Sequence, residues 1–205
     1  MNPSLNRPWV KGALAFVIAL AALFLWERNT VPGVVFPPEE PLRTEQTEVW
    51  LGAVQKVAKT GDWLVLRGYH ETDHLVAAAT NQPFSHVAVL DMSKEQVIEA
   101  IGAGIQTLDL RERLHTSHHV MVMRPRWWRE DRAEKAISAA RAQIGGSYDF
   151  LGTVGLGAKE RFYCSELAVH IYRPYFQGDE QIPGVLEPGH MYLWGDVIYD
   201  SRSRN

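Results

Sequence analysis

Cys164 is the only cysteine in the 205-residue chain, and its position makes it a candidate for chemistry. It lies in the segment FYCSEL, at the start of a predicted helix that runs from Tyr163 to Tyr172. The free N–H groups and the dipole of a helix start stabilise a thiolate, which is the nucleophilic form of cysteine. A single cysteine excludes an intramolecular disulfide and a zinc site built on several thiolates. Cys164 is therefore either a small buried side chain or a nucleophile.

A histidine and a glutamate fall on two strands that are predicted to form an antiparallel hairpin. The strands run from Phe84 to Leu90 and from Gln96 to Ile101. If Leu90 pairs with Val97, His86 and Glu99 project from the same face as diagonal neighbours, within reach of each other's side chains. A shift of one residue in register would place them on opposite faces.

Glu99 stands in an otherwise apolar strand, where a carboxylate is costly without a partner. A carboxylate on one ring nitrogen of His86 would fix the tautomer and leave the other nitrogen free to deprotonate Cys164. The pattern predicts a cysteine nucleophile that works by acyl transfer. The alternative is an exposed glutamate and a histidine satisfied within the core.

Five short segments together resemble a known family. They are Gly61–Val65 (GDWLV), Phe84–Val89 (FSHVAV), Val97–Ala100 (VIEA), Tyr148–Phe150 (YDF) and Tyr163–Leu167 (YCSEL). The set is similar to the YiiX-like, circularly permuted papain-fold hydrolases of the NlpC-type superfamily, in which the histidine precedes the cysteine. The resemblance covers roughly residues 59 to 200.

The resemblance implies roles for particular residues. It implies Cys164 as nucleophile, His86 as base and Glu99 as the residue that orients the base. It implies that Tyr148 and Tyr163 line the substrate pocket or donate to an oxyanion, although a core aromatic role for Tyr148 stays open. Asp62 matches a structural aspartate at a turn. The implied enzyme needs no cofactor and no metal.

The predicted fold is α+β, a circularly permuted papain-like fold with a small antiparallel sheet packed on helices. Helices are predicted over 45–59, 69–80 and 131–144, the last with Asp131 as N-cap, and further strands over 63–67, 104–110, 120–124 and 196–199. The chain divides into an anchor or signal segment (1–30), a Pro-rich linker (31–43) and a papain-like hydrolase domain (44–205).

The N-terminal segment from Gly12 to Trp26 is continuously apolar and follows Arg7 and Lys11. A helix counted from Trp9 would be about 27 Å long, close to the ~30 Å of a bilayer core. This favours one N-terminal transmembrane helix with the catalytic domain on the periplasmic side. A cleaved signal peptide is the alternative.

Two further expectations concern metals and partners. The segment His70–His74 reads H-E-T-D-H, which has the spacing of a zinc-peptidase helix, so a zinc hydrolase is a competing hypothesis. A net charge of −3 gives no indication of nucleic-acid binding.

The expected substrate is an amide or ester of a cell-envelope peptide. A lipid acyl hydrolase or acyltransferase, and a binding module without catalysis, are the alternatives; the oligomeric state stays open.

Overall fold

The computed structural model describes residues 33–157, 161–178 and 180–204. Five α-helices are described: α1 (Glu40–Val57), α2 (Glu71–Thr80), α3 (Leu110–His115), α4 (Glu130–Ala142) and α5 (Cys164–His170). The strands are β1 (Trp63–Gly68), β2 (His86–Asp91), β3 (Gln96–Ile101), β4 (Gly104–Asp109), β5 (Ser117–Pro125) and β6 (Gly195–Asp200). Short 3-10 turns cover Gly152–Val154, Arg173–Tyr175 and Pro188–Leu193.

The six strands form one antiparallel sheet in the order β4-β3-β2-β1-β5-β6. The predicted hairpin register is confirmed, because Leu90 pairs with Val97. The ladder between β2 and β3 is short, however, and its last pair is Val89 with Ile98. The first half of β2 therefore pairs only with β1.

Helices cover both faces of the sheet, which explains why β1 reads as a continuous apolar run rather than an alternating one. On one face Trp63 and Val65 pack with α4 and α5. On the other face Leu64 and Leu66 pack with α1 and α3. Each face thus has its own apolar cluster, and β1 and β2 contribute to both.

Several predicted boundaries are wrong. The first helix begins at Glu40, inside the predicted 31–43 linker, because Pro41 is tolerated in the first turn, where no intrahelical N–H donor is needed. The N-cap of α4 is Arg129, and Asp131 lies in the first turn instead. Helix α3 was not predicted, since its six residues are too few to show a helical period.

The predicted transmembrane segment, Gly12 to Trp26, lies outside the described residues. Within the described parts of the chain, no helix is both long enough and apolar enough to cross a bilayer.

Candidate active site

Cys164 is the first residue of α5, and 8% of its surface is exposed. The backbone N–H groups of Val87 and Ser165 both donate to its sulfur, and these hydrogen bonds favour the thiolate. The helix start is fixed by Glu166, whose carboxylate accepts the N–H of Tyr163, as in a capping box. The predicted position of the cysteine at a helix start is therefore observed.

The opening between β2 and β3 explains why Val87 can donate to the sulfur. Leu90 exchanges backbone hydrogen bonds with Gly61 and Asp62, on the β1 side. Because backbone groups alternate in direction along a strand, the N–H of Val87 points toward β3. The ladder has already ended there, and the start of α5 brings Cys164 to that N–H group.

His86 is the first residue of β2, opposite Leu66 of β1, and 8% of its surface is exposed. Its Nε2 lies 2.8 Å from Oε2 of Glu99. The prediction that these two side chains meet is confirmed, although no ladder pairing brings them together. Since Nε2 faces the carboxylate, Nδ1 is the nitrogen left for Cys164, with which the ring also forms a hydrogen bond.

The three groups change one another's proton affinities. Burial favours the neutral imidazole, but the sulfur of Cys164 and the carboxylate of Glu99 outweigh it and raise the pKa of His86 to about 10. Burial also favours the neutral thiol, but the imidazolium lowers the pKa of Cys164 below its usual value. The site therefore favours a thiolate–imidazolium pair, the reactive form in a cysteine hydrolase.

Glu99 is 1% exposed and is surrounded by donors. Gln106 donates to its Oε1 at 3.3 Å, and Arg113 donates to its Oε2 at 3.2 Å. Burial raises the pKa of Glu99, but His86, Arg113 and Gln106 lower it to about 2. Neither supporting residue is predicted from the sequence. Gln106 pairs with Glu99 across the β3–β4 hairpin, so the register of that hairpin contained the signal; Arg113 lies on the unpredicted helix α3.

The two predicted tyrosines lie beside the sulfur. Tyr148 lines the cleft, and its pKa is raised by burial and by the charge of Cys164. Tyr163 lines it too, and its hydroxyl accepts the N–H of Leu186 at 2.7 Å. Ser165 donates its hydroxyl to the carbonyl of Leu186. The residues on either side of Cys164 thus hold the 185–188 segment against the site.

Asp62 has a different environment. It is fully buried in the turn before β1, where it accepts the N–H of Lys59 at 2.7 Å and two hydrogen bonds from Arg124 at 2.8 and 2.9 Å. It is not among the residues that line the cleft around Cys164. This geometry is that of a residue that ties a turn to the neighbouring strand β5.

His70 and His74 are used within the protein's own structure. His70 is the N-cap of α2, and Nδ1 of His74 lies 3.2 Å from a guanidinium nitrogen of Arg67. Within the described ranges, no group of three or more His, Cys, Asp or Glu side chains is arranged to hold a metal ion. The observed arrangement gives no support to the zinc hypothesis.

The chain is similar to a known protein family and to a solved structure. Residues 58–182 match the family described as permuted papain-like amidase enzyme, YaeF/YiiX, C92 family. A crystal structure titled metalloprotein yiiX from Escherichia coli O157:H7 is similar at 23% identity and a TM-score of 0.49, covering 58% of this chain. This chain spans 66% of that one, slightly less than two thirds. No curated protein matches the sequence.

The match covers more than half of the chain, so the chain belongs to the permuted papain-like amidase family. Its α+β fold is the permuted papain-like fold of that family.

Proposed function

We propose that the chain hydrolyses an amide or ester bond, with Cys164 as nucleophile, His86 as acid and base, and Glu99 as the positioning residue. The single observation that carries the proposal is the connected set of contacts from the sulfur through the imidazole to a buried carboxylate. This set lies on an open cleft, so a substrate can reach the sulfur. The closest alternative to a catalytic role for Cys164 is a structural one, which would need neither the imidazole nor the cleft.

The reaction has two steps. The thiolate of Cys164 attacks the carbonyl carbon, and the bond to the leaving nitrogen or oxygen breaks as the imidazolium of His86 gives that atom a proton. Water then attacks the thioester while His86 takes one of its protons, and the bond to sulfur breaks, which releases the acid and restores the thiolate–imidazolium pair. Throughout, Glu99 stabilises the imidazolium and keeps Nδ1 directed at the sulfur.

We assign two donors to the oxyanion of the tetrahedral intermediate. The first is the backbone N–H of Cys164, which is unpaired within its helix because the first four N–H groups of a helix have no intrahelical acceptor. The second is the hydroxyl of Tyr148, which lines the same cleft. Tyr163 instead orients the 185–188 segment through its bond to Leu186.

The proposal includes a location at the cell envelope. It is supported by the apolar segment from Gly12 to Trp26 and by the positive charge before it, which favour a domain held at the membrane on its periplasmic side. The division into anchor, linker and hydrolase domain belongs to the same proposal. Membrane fractionation tests whether the chain is anchored. Protease treatment of intact cells and spheroplasts then tests whether the domain lies on the periplasmic side.

The experiment for the reaction is a search for the covalent intermediate. The full-length protein is incubated with N-acyl amino acid amides, acyl esters and muropeptides, and the mass of the peptide that contains Cys164 is followed after an acid quench. The proposal predicts an acylated Cys164 that decays with release of free acid, and no adduct in Cys164→Ala. Binding of a substrate without any acylation would instead indicate a binding module.

A further inference from the structure

Arg113 of α3 contacts the same carboxylate oxygen as His86. Oε2 of Glu99 accepts a hydrogen bond from Nε2 of His86 at 2.8 Å and another from Nη1 of Arg113 at 3.2 Å. The guanidinium also donates from Nη2 to the hydroxyl of Thr116 at 2.9 Å, which fixes its direction. The side chains of Arg113 and Glu99 are 13% and 1% exposed, so salt screens this ion pair only weakly. Arg113 is therefore a mostly buried charge, one contact away from the imidazole.

His86 and Glu99 share the proton that makes the imidazole cationic. Burial lowers the pKa of His86, but the sulfur of Cys164 and the carboxylate of Glu99 raise it to about 10. Within the described residues, the charged groups that face the pair are Cys164 of α5 and Arg113 of α3, while Gln106 of β4 is neutral. A change in either charge therefore alters how firmly the pair holds its proton.

The two halves of the reaction need opposite protonation states of His86. In the first half, the imidazolium stabilises the thiolate and gives its proton to the leaving group. Once Cys164 is acylated, its sulfur carries no charge and no longer stabilises the imidazolium. Glu99 still does, because an opposite charge in contact favours the charged form by about 1 to 3 pKa units. An imidazolium cannot take a proton from water, so the acyl-enzyme is hydrolysed slowly for as long as Glu99 holds that proton on the ring.

Arg113 opposes this effect of Glu99. Its charge lies against the oxygen that faces Nε2, so it weakens the attraction between the carboxylate and the imidazolium. We propose that Arg113 is a positioning residue for deacylation: acting through Glu99, it lets His86 lose its proton in the acyl-enzyme. Nδ1 then takes a proton from water, the water oxygen bonds to the acyl carbon, and the carbon–sulfur bond breaks. This inference rests on the proposed function, since it assigns a residue to the second step of the same reaction.

p-Nitrophenyl acetate separates the two steps. Its nitrophenolate leaving group needs no proton from His86, so the first-turnover release of nitrophenolate reports the acylation of Cys164. After removal of the ester, the loss of the acetyl group from the peptide that contains Cys164 reports deacylation. Both rates are measured on the full-length protein across pH, the first by absorbance and the second by mass spectrometry.

In Arg113→Met the acylation rate should stay close to that of the wild type. The pH profile of deacylation should instead shift upward by about 1 to 3 units, because the charge that opposes Glu99 is gone. At the pH where the wild-type deacylation rate is half its maximum, the variant should be about fivefold or more slower, and the two rates should converge at alkaline pH. Arg113→Lys, which keeps a positive charge, should restore most of the wild-type profile.

Arg111→Met is the matched control, because Arg111 also lies on α3 but is exposed and paired with Glu48. It should keep the wild-type profile. A deacylation profile in Arg113→Met that coincides with that of the wild type would overturn the inference. An equal slowing of both steps at every pH would also overturn it, because that result indicates a structural role for the contact with Thr116. Failure of the proposed function has a different signature: Cys164 would not be acetylated in the wild type, and both proposals would fall.

Discussion

Replacement of Glu99 by glutamine tests the charge coupling within the site. The substitution keeps the size of the side chain and an oxygen that can accept the Nε2 proton of His86, but it removes the negative charge. An opposite charge at a distance of 2.8 Å shifts a pKa by about 1 to 3 units. We therefore expect the pKa of His86 to fall from about 10 by about 1 to 3 units in Glu99→Gln.

The change weakens the thiolate–imidazolium pair. A fall of this size corresponds to about 1.4 to 4 kcal/mol of lost stabilisation of the charged ring. Because Arg113 remains 3.2 Å from the position of the lost carboxylate oxygen, it will repel the imidazolium and add to the effect. Less thiolate should then be present at acidic pH, and alkylation of Cys164 should slow there.

The assay is an NMR titration of the His86 ring in the wild type and in Glu99→Gln. Glu95→Gln is the matched control, because Glu95 is an exposed glutamate of the same hairpin, bonded to Gln55 rather than to a site residue. It should leave the His86 titration unchanged. A His86 pKa that is the same in Glu99→Gln as in the wild type would refute the coupling between the carboxylate and the imidazole.

Three further predictions concern other parts of the protein. Asp62→Ala should lower the free energy of unfolding in urea by about 3–5 kcal/mol, because it leaves Arg124 without its buried partner. Alkylation of Cys164 should stay normal in this variant. A loss of stability below about 1 kcal/mol would contradict the prediction. Tyr148→Phe should reduce kcat by about 10²-fold with little change in KM if its hydroxyl stabilises the oxyanion, and an unchanged kcat would leave it a packing residue. The pKa of Glu99 lies near 2 in the folded protein against 4.5 ordinarily, so the stability that it contributes is present above pH 4.5 and is lost as the pH falls through about 2. The free energies of unfolding of the wild type and of Glu99→Gln should therefore approach each other by up to ~3 kcal/mol as the pH falls through that window. Free energies that differ by the same amount at every pH would contradict the assignment.

The strands and the hairpin register were predictable from sequence because apolar runs and turn signals define them locally. Leu90 and Val97 follow from the turn between two apolar segments, and the structure pairs them. The end of the ladder after Val89 and Ile98 was not predictable, since it depends on where α5 packs. That opening directs the N–H of Val87 to the sulfur, so a central feature of the site has no local sequence signal.

The donors around Glu99 were also only partly predictable from the sequence. Gln106 is opposite Glu99 and could have been found by extending the register to the next hairpin. Arg113 lies on a six-residue helix that shows no clear period, and its approach to the carboxylate is a tertiary contact. Sequence periodicity places side chains on faces, whereas contacts between separate elements depend on packing.

The most direct test of the cysteine–histidine pair is the rate of iodoacetamide alkylation at Cys164 across pH. The rate is measured in the full-length wild type and in His86→Ala. His115→Ala is the control, because His115 lies away from the site. The Cys164–His86 contacts predict fast alkylation well below the free-thiol pKa of about 8.5 in the wild type and in the control, and a profile shifted to higher pH in His86→Ala. An ordinary thiol profile that is the same in all three proteins would contradict the assignment of Cys164 as an activated nucleophile.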